Sequence, residues 1–402
     1  MSRHYLDHAS TTPLRPEAAE TMLAVLHAGA GLGDPGRVHH EGRAARELLE
    51  QAREQIAALL GTRPRQVVLT SGATEAVNAA VWGATRARPG APVVLADVEH
   101  SAAREASARL APTVTVPVTA TGAIDPDAVG EALADAARQG RPAALVHCQL
   151  ANHEVGTVQP VAAVVERCRD LGVPVHVDAA AGAGHVPLDV DGLGADLVSV
   201  SAHKLGGPPG AGCLVVRRGL RIAPLLVGGE QERARRAGLE NVAAAAGFGA
   251  AAAALAEPGR LDEEARAQRR LVASLVAAAT SVPGVHLLGE PDPGRRLPHL
   301  ACLAIDGVEA EPVLLALDRA GIAAHSGSAC SSESLAPSPV LAAMGADADR
   351  SLRLSVGWTS TAGDVAAFAA AFGPAVERLR ALRGRALPTG RAAVRSAEDV
   401  RP

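Results

Sequence analysis

The chain carries 38 arginines and one lysine, Lys204. A primary amine can lose its proton and form a Schiff base, whereas a guanidinium with a pKa above about 12 cannot. In a chain that uses arginine wherever a charge alone is needed, the surviving lysine points to amine chemistry. It lies in Ser199-Val200-Ser201-Ala202-His203-Lys204-Leu205-Gly206-Gly207, after an apolar run and before a glycine-rich loop. Twenty-six residues earlier, Asp178 closes the run Val175-His176-Val177. That puts a carboxylate at the C-terminal end of a buried strand, where open α/β sheets bind ligands. A third feature, Thr70-Ser71-Gly72-Ala73-Thr74-Glu75, spans the end of a strand and the start of a helix. Free amides and the helix dipole there favour a phosphate, and Thr74 adds a hydroxyl.

Each feature alone also fits an ordinary capped turn. Together they are the parts of a pyridoxal phosphate site: an amine for the aldehyde, a carboxylate for the ring nitrogen and a cradle for the phosphate. Cys330 lies in His325-Ser326-Gly327-Ser328-Ala329-Cys330-Ser331-Ser332, a run of small polar residues suited to a loop and to a reactive thiol. Cys148, Cys168, Cys213 and Cys302 sit in apolar or helical settings and read as packed thiols. Arg353, a lone charge in the strand Ser351-Leu352-Arg353-Leu354-Ser355, needs a carboxylate partner. A protein carboxylate or the α-carboxylate of an amino-acid substrate would serve.

The elements that must position these residues alternate from about residue 64, as in an α/β domain with a mostly parallel sheet. Val67 to Thr70, Val93 to Ala96, Thr113 to Val116, Ala143 to Cys148, Val173 to Asp178, Leu197 to Ser201 and Gly212 to Val216 read as strands. Helices are expected over Pro16 to Ala28, Arg43 to Leu60, Gly72 to Arg86, from Asp125-Pro126, and over Val161 to Leu171. The large domain is placed at 16–259, a smaller α+β domain at 1–15 plus 260–383, and a flexible tail at 384–402. With 402 residues, 48% of them hydrophobic, the chain buries a large core. A net charge of −4 and only six aromatics argue against direct nucleic-acid binding. Five cysteines without a Cys-x-x-Cys pair fit neither a disulfide framework nor a zinc knuckle, so no metal is expected. No signal peptide is visible, and Val242 to Ala256, the most apolar stretch, is shorter than a membrane span. A soluble cytoplasmic protein that takes a small-molecule substrate is expected.

With these parts in place the chain resembles the cysteine desulfurases, pyridoxal phosphate enzymes of the class V aminotransferase group. The resemblance runs from Tyr5-Leu6-Asp7-His8-Ala9-Ser10-Thr11-Thr12-Pro13 to about Arg383. Besides the segments above it includes Val98-Glu99-His100, Asn152-His153-Glu154-Val155-Gly156 and Ser326-Gly327-Ser328-Ala329-Cys330, in the family's order and spacing. It implies a fold-type I homodimer with a mostly parallel seven-stranded sheet. Lys204 would carry the cofactor, Asp178 would pair with its ring nitrogen, and His100 would stack on the ring and move protons. Ala73, Thr74, Ser201 and His203 would line the phosphate cradle, with His153 near the phenolic oxygen. Arg353 and Asn152 would bind the substrate, and Cys330 would take sulfur from L-cysteine as a persulfide, leaving alanine, for delivery to an acceptor protein.

A selenocysteine lyase, another class V lyase or aminotransferase, or a weakly active sulfur carrier are the alternatives. Iron–sulfur assembly is one of several possible destinations for the sulfur. The chain departs from the family at His153, at Ala181 where a glutamine is usual, at Leu239 where a threonine is usual, and at Asp34, Pro209 and Trp358. Asp34 would oppose a substrate carboxylate unless it is turned away or paired with an arginine such as Arg37.

Overall fold

Short β-branched runs, buried on both faces, alternate with alanine-rich helices, and this pattern folds as a sheet wrapped by helices. A computed structural model describes residues 3–29, 32–326 and 337–385, and every structural statement concerns these. β1 (His4–Tyr5), α1 (Pro16–His27) and α2 (His40–Leu59) come first. Next come β2 (Val67–Thr70), α3 (Ala73–Ala87), β3 (Val93–Ala96), α4 (Ser101–Leu110), β4 (Thr113–Val116) and α5 (Pro126–Arg138). They are followed by β5 (Leu145–His147), α6 (Val161–Arg169), β6 (Val175–Asp178), α7 (Val190–Leu193), β7 (Leu197–Ser201) and β8 (Gly212–Val216). The turn α8 (Gln231–Ala234), α9 (Val242–Ala256) and the long α10 (Arg260–Thr280) lead to β9 (Val285–Leu288), β10 (Leu300–Ile305) and α11 (Ala310–Arg319). β11 (Ile322–Ala323), β12 (His325–Ser326), α12 (Pro339–Ala343), β13 (Ser351–Ser355) and α13 (Ala362–Arg385) complete the order.

The seven-stranded sheet runs β2-β8-β7-β6-β5-β3-β4. β4, β3, β5, β6 and β7 pair in parallel, and β8 runs antiparallel to both of its neighbours. Alternate residues of each strand feed two cores. Val94, Val146, Val177, Val198 and Val200 pack under α2, α5, α6 and α9, while Val68, Leu95, Leu145, Leu197 and Leu214 pack under α3 and α4. α9 is apolar all round because it packs against both α1 and α2. No single helix among the described residues is long and apolar enough to cross a membrane.

A second, antiparallel sheet, β12-β13-β10-β9, has its own core with α10, α11 and α13. Leu6 is buried in that core, and its backbone bonds to Ala323 and Ser355 tie the N-terminal segment to this sheet. The same segment then reaches the large sheet, where Thr12 donates to the carbonyl of His203. Residues near the N-terminus therefore span both units beside the Lys204 turn.

Candidate active site

Parallel strands end together, and the ends of β6 and β7 bring the main groups side by side. Asp178 is the last residue of β6 and faces Ser199 of β7 in register. Ser201 closes β7, and the 3-10 turn Ala202–Lys204 follows it directly. On the far side of β8, α3 starts at Gly72, which has φ +155° and no side-chain cap. Gly212 of β8 allows this approach, since a Cβ there would lie 2.6 Å from the Gly72 Cα. The first-turn amides of Ala73 and Thr74 have no intrahelical acceptor and remain for an anion.

These groups share one cavity of about 490 Å³, lined by Ala73, Thr74, His100, His153, Asp178, Ser201, His203, Lys204 and Arg353. Asn152 is not in its wall. Its amide oxygen accepts from Glu154 and Val155 N–H at 2.8 and 2.9 Å, and its Nδ2 donates to Val98 O at 3.1 Å. It caps the turn that carries His153. Cys330 lies outside the described residues. On one flank His325 of β12 faces Arg353 of β13, and on the other Ser338 donates to the carboxylate of Glu154, the residue after His153.

His100 caps α4, its Nδ1 accepting from Ala102 N–H at 3.1 Å. The proton of the neutral ring therefore sits on Nε2, so His100 offers a donor. Burial, reinforced by the neighbouring His153, lowers its pKa to about 3. The His153 ring meets His100 edge to face at 5.0 Å, and burial, then the charges of Lys204 and Arg353, holds it well below the usual histidine range. His203 is lowered to about 4 by burial and by Lys204, and its Nδ1 lies 3.1 Å from Thr11 Oγ1.

For Arg353 the structure supplies a protein partner. Nη2 reaches Asp7 Oδ1 at 2.9 Å and Ser10 Oγ at 2.6 Å, and Nη1 donates to His153 O at 3.0 Å. Its Nε is buried without a partner, so one donor is left unsatisfied at the cavity wall. Asp34 is paired as well, with Arg37 Nε at 3.1 Å and Gly36 N–H at 2.8 Å. Ala181 and Pro209 line the cavity, Leu239 is 66% exposed and outside it, and Trp358 Nε1 donates to Pro13 O.

Ser10 and Gln149 complete the cavity wall, with Asp7 bonded to Arg353 and Glu99 to Gln149 N–H, and none of the four was singled out from sequence. Glu99 Oε1 accepts from Gln149 N–H at 2.8 Å, while Oε2 is buried and unpaired. Burial, against the pull of that N–H, raises its pKa to about 8. Its position beside His100 in Val98-Glu99-His100 was the available signal.

The donor set fits pyridoxal phosphate: amides and hydroxyls for a dianion, a strand-end carboxylate for a protonated ring nitrogen, an amine for an aldehyde and a neutral imidazole for the ring face. Fold and site together define a pyridoxal phosphate enzyme of fold type I. The family model "Aminotransferase class-V" matches residues 4–368. The chain is 40% identical over 392 residues to an IscS-like cysteine desulfurase of Mycobacterium tuberculosis, covering 94% of this chain and 97% of that protein. It is 36% identical over 371 residues to the cysteine desulfurase IscS of Methanosarcina thermophila, covering 90% and 89%. A NifS-like protein from Rickettsia africae superimposes with a TM-score of 0.83 at 28% identity, over 93% of this chain and 99% of that one. SspA, solved in complex with cysteine, superimposes with a TM-score of 0.75 at 26% identity, over 89% and 100%. The chain belongs to the class V aminotransferase family, among its cysteine desulfurases.

Proposed function

We propose that this protein is a cysteine desulfurase that converts L-cysteine to L-alanine and passes the sulfur, through Cys330, to an acceptor protein. The observation that carries the reading is the meeting of Lys204, Asp178 and the open first turn of α3 in one cavity. Bound pyridoxal phosphate supplies an electron sink for the charge left at the substrate Cα. Thr74, Ser201, His203 and the α3 amides hold its phosphate, and Asp178 keeps a proton on its ring nitrogen.

The Lys204 amine would take the substrate Cα proton. Arg353 binds the substrate carboxylate through the donor capacity left beside Asp7. The Cys330 thiolate attacks the substrate sulfur, and the S–Cβ bond breaks with its electron pair returning to carbon. The protonated Lys204 would give the proton it took to Cβ, which becomes the methyl group of alanine, the proton lost from the Cys330 thiol replaces it at Cα, and the neutral His100 ring offers its Nε2–H as a hydrogen-bond donor in the site.

Cys330 follows His325 by five residues in the sequence, and His325 pairs with Arg353 across β12 and β13. We also propose a homodimer, supported by the exposed Leu226, Val227 and Leu239 near the cavity rim.

The test is to incubate the loaded enzyme with L-cysteine and measure alanine and sulfide. Lys204→Ala is expected to lose both products and the visible cofactor band. Cys330→Ala is expected to keep the band and lose sulfur transfer. Full turnover in Cys330→Ala would remove the persulfide role, and an unchanged band in Lys204→Ala would remove the reading altogether.

A further inference from the structure

A second cavity of about 530 Å³ opens at the other end of the strands of the seven-stranded sheet. It shares no lining residue with the first. Ala144, Val175 and Leu197, at the starts of β5, β6 and β7, form part of its wall, and the ends of α3 and α6 flank it. Its size is in the range of small-molecule sites, roughly 300–1,000 Å³.

Four guanidiniums surround it, those of Arg88, Arg169, Arg217 and Arg221, against the one carboxylate of Asp196. Asp196 is already committed, accepting from Arg217 Nε at 2.7 Å and from Val175 N–H at 2.8 Å. Arg88 spends its hydrogen bonds on the carbonyls of Ala143 and Gly172, both at 2.8 Å, but keeps its charge. Arg169 and Arg221 are exposed and have no hydrogen-bond or ion-pair partner among the described residues. Four positive charges against one negative leave three. The two helix C-termini bring about half a negative charge each, so close to two positive charges remain uncompensated. In an arginine-rich chain, stray surface guanidiniums are expected. Here they border an apolar hollow walled by Val165, Pro174, Leu220 and Ile222, which a solvated charge does not require.

We propose that this cavity binds a nucleotide-sized organic phosphate, its phosphate taken by Arg169 and Arg221 and its body lying against the apolar wall. Arginine is suited to that task because its planar fork meets phosphate oxygens in pairs. Inorganic phosphate alone would leave most of the hollow unfilled. The inference does not depend on the desulfurase reaction, because the two cavities are separate.

The test is calorimetric titration of the cofactor-loaded enzyme, whose catalytic phosphate cradle is occupied, with adenosine 5′-diphosphate, pyrophosphate and adenosine at about 0.15 M salt. The diphosphate is expected to bind saturably at one site per chain, at least tenfold more tightly than either fragment. The double variant Arg169→Ala/Arg221→Ala should weaken that binding at least tenfold while its cofactor band and desulfurase rate stay as in the parent. Absence of saturable diphosphate binding, or equal binding to the variant, overturns the proposal. Pyrophosphate binding as tightly as the diphosphate overturns the role of the apolar wall.

Discussion

His185 shows how a residue outside the cavity wall can act on the residue that matters most. A carbonyl oxygen only accepts, so the 3.1 Å contact to Lys204 O places the His185 proton on Nε2. The ring stacks on His299 at 3.6 Å, and burial lowers its pKa to about 4, below the ordinary 6.5. A depressed pKa contributes stability that is present above about pH 6.5 and lost as the pH falls through about 4. His185→Phe, which keeps the stack and removes the donor, is expected to flatten the acid side of the stability profile. It should also speed cofactor release by roughly tenfold, the worth of one hydrogen bond, and His185→Gln should recover much of this. Unchanged cofactor release in His185→Phe would show that the bond to Lys204 positions nothing. Glu99 carries the opposite sign: its raised pKa makes the folded state favour the neutral acid, a contribution present below about 4.5 and lost as the pH rises through about 8. Glu99→Gln should therefore gain on the parent across that interval, read as a melting midpoint that falls less than the parent's between about pH 5 and pH 8. Melting curves at several pH values check both signs. Lys204, Asp178 and Thr74 were legible in the sequence because the chemistry demands one kind of side chain at one kind of strand or helix end. Asp7 and Gln149 were not, because a long-range approach and a strand register bring them in, and neither leaves a local pattern.

The same distinction holds for elements. Strands such as Val67–Thr70, Val93–Ala96 and Leu197–Ser201 fall where β-branched runs end at turn residues, and Asp125 caps α5 as its type predicts. β1, β11 and β12 have two residues each and exist through their partners, which sequence cannot show. β5 and β6 are shorter than the apolar runs, because Ala143, Ala144 and Val173 are buried in the connections that enter the sheet. The turn α8 has a different origin. Glu232, Arg233 and Ala234 have φ of 49°, 58° and 60°, a left-handed run that costs roughly 1–2 kcal/mol per residue. What holds it is a buried clamp: Glu232 takes two bonds from Arg53 of α2, at 2.7 and 2.9 Å, and a third from Leu69 N–H of β2. Arg53→Met strands a buried carboxylate and is expected to lose about 3–5 kcal/mol in urea unfolding. Arg53→Met/Glu232→Leu should regain a substantial part of that loss. If the double variant is as unstable as the two single changes added together, the clamp is not the source of the stability.

At the scale of the whole molecule, the turn held by that clamp leads into the apolar residues that the single chain leaves in water. Leu226 is 41% exposed, Val227 79% and Leu239 66%, and they bracket the turn on the rim next to Arg236, whose Nε pairs with Glu75 of the cavity wall at 2.9 Å. Isolated exposed leucines need no explanation, but several on one strained loop beside a site point to a covered surface. A second copy of the chain is a suitable cover, because a two-fold interface uses the same patch twice and sets the strained loop against its counterpart. If a second copy covers the loop as proposed, it adds to the buried clamp against the strain, and assembly and the shape of the site become linked. The protein is expected to sediment as a species of twice 40.7 kDa. Val227→Glu/Leu239→Glu, which puts four carboxylates into a symmetric contact, should convert it to the monomer at micromolar concentration. The monomer should keep its secondary structure and hold pyridoxal phosphate more weakly, read as a dose-dependent fall in the visible band on dilution. A variant that stays dimeric, or a monomer that binds the cofactor as tightly as the parent, would place the interface elsewhere or separate it from the site.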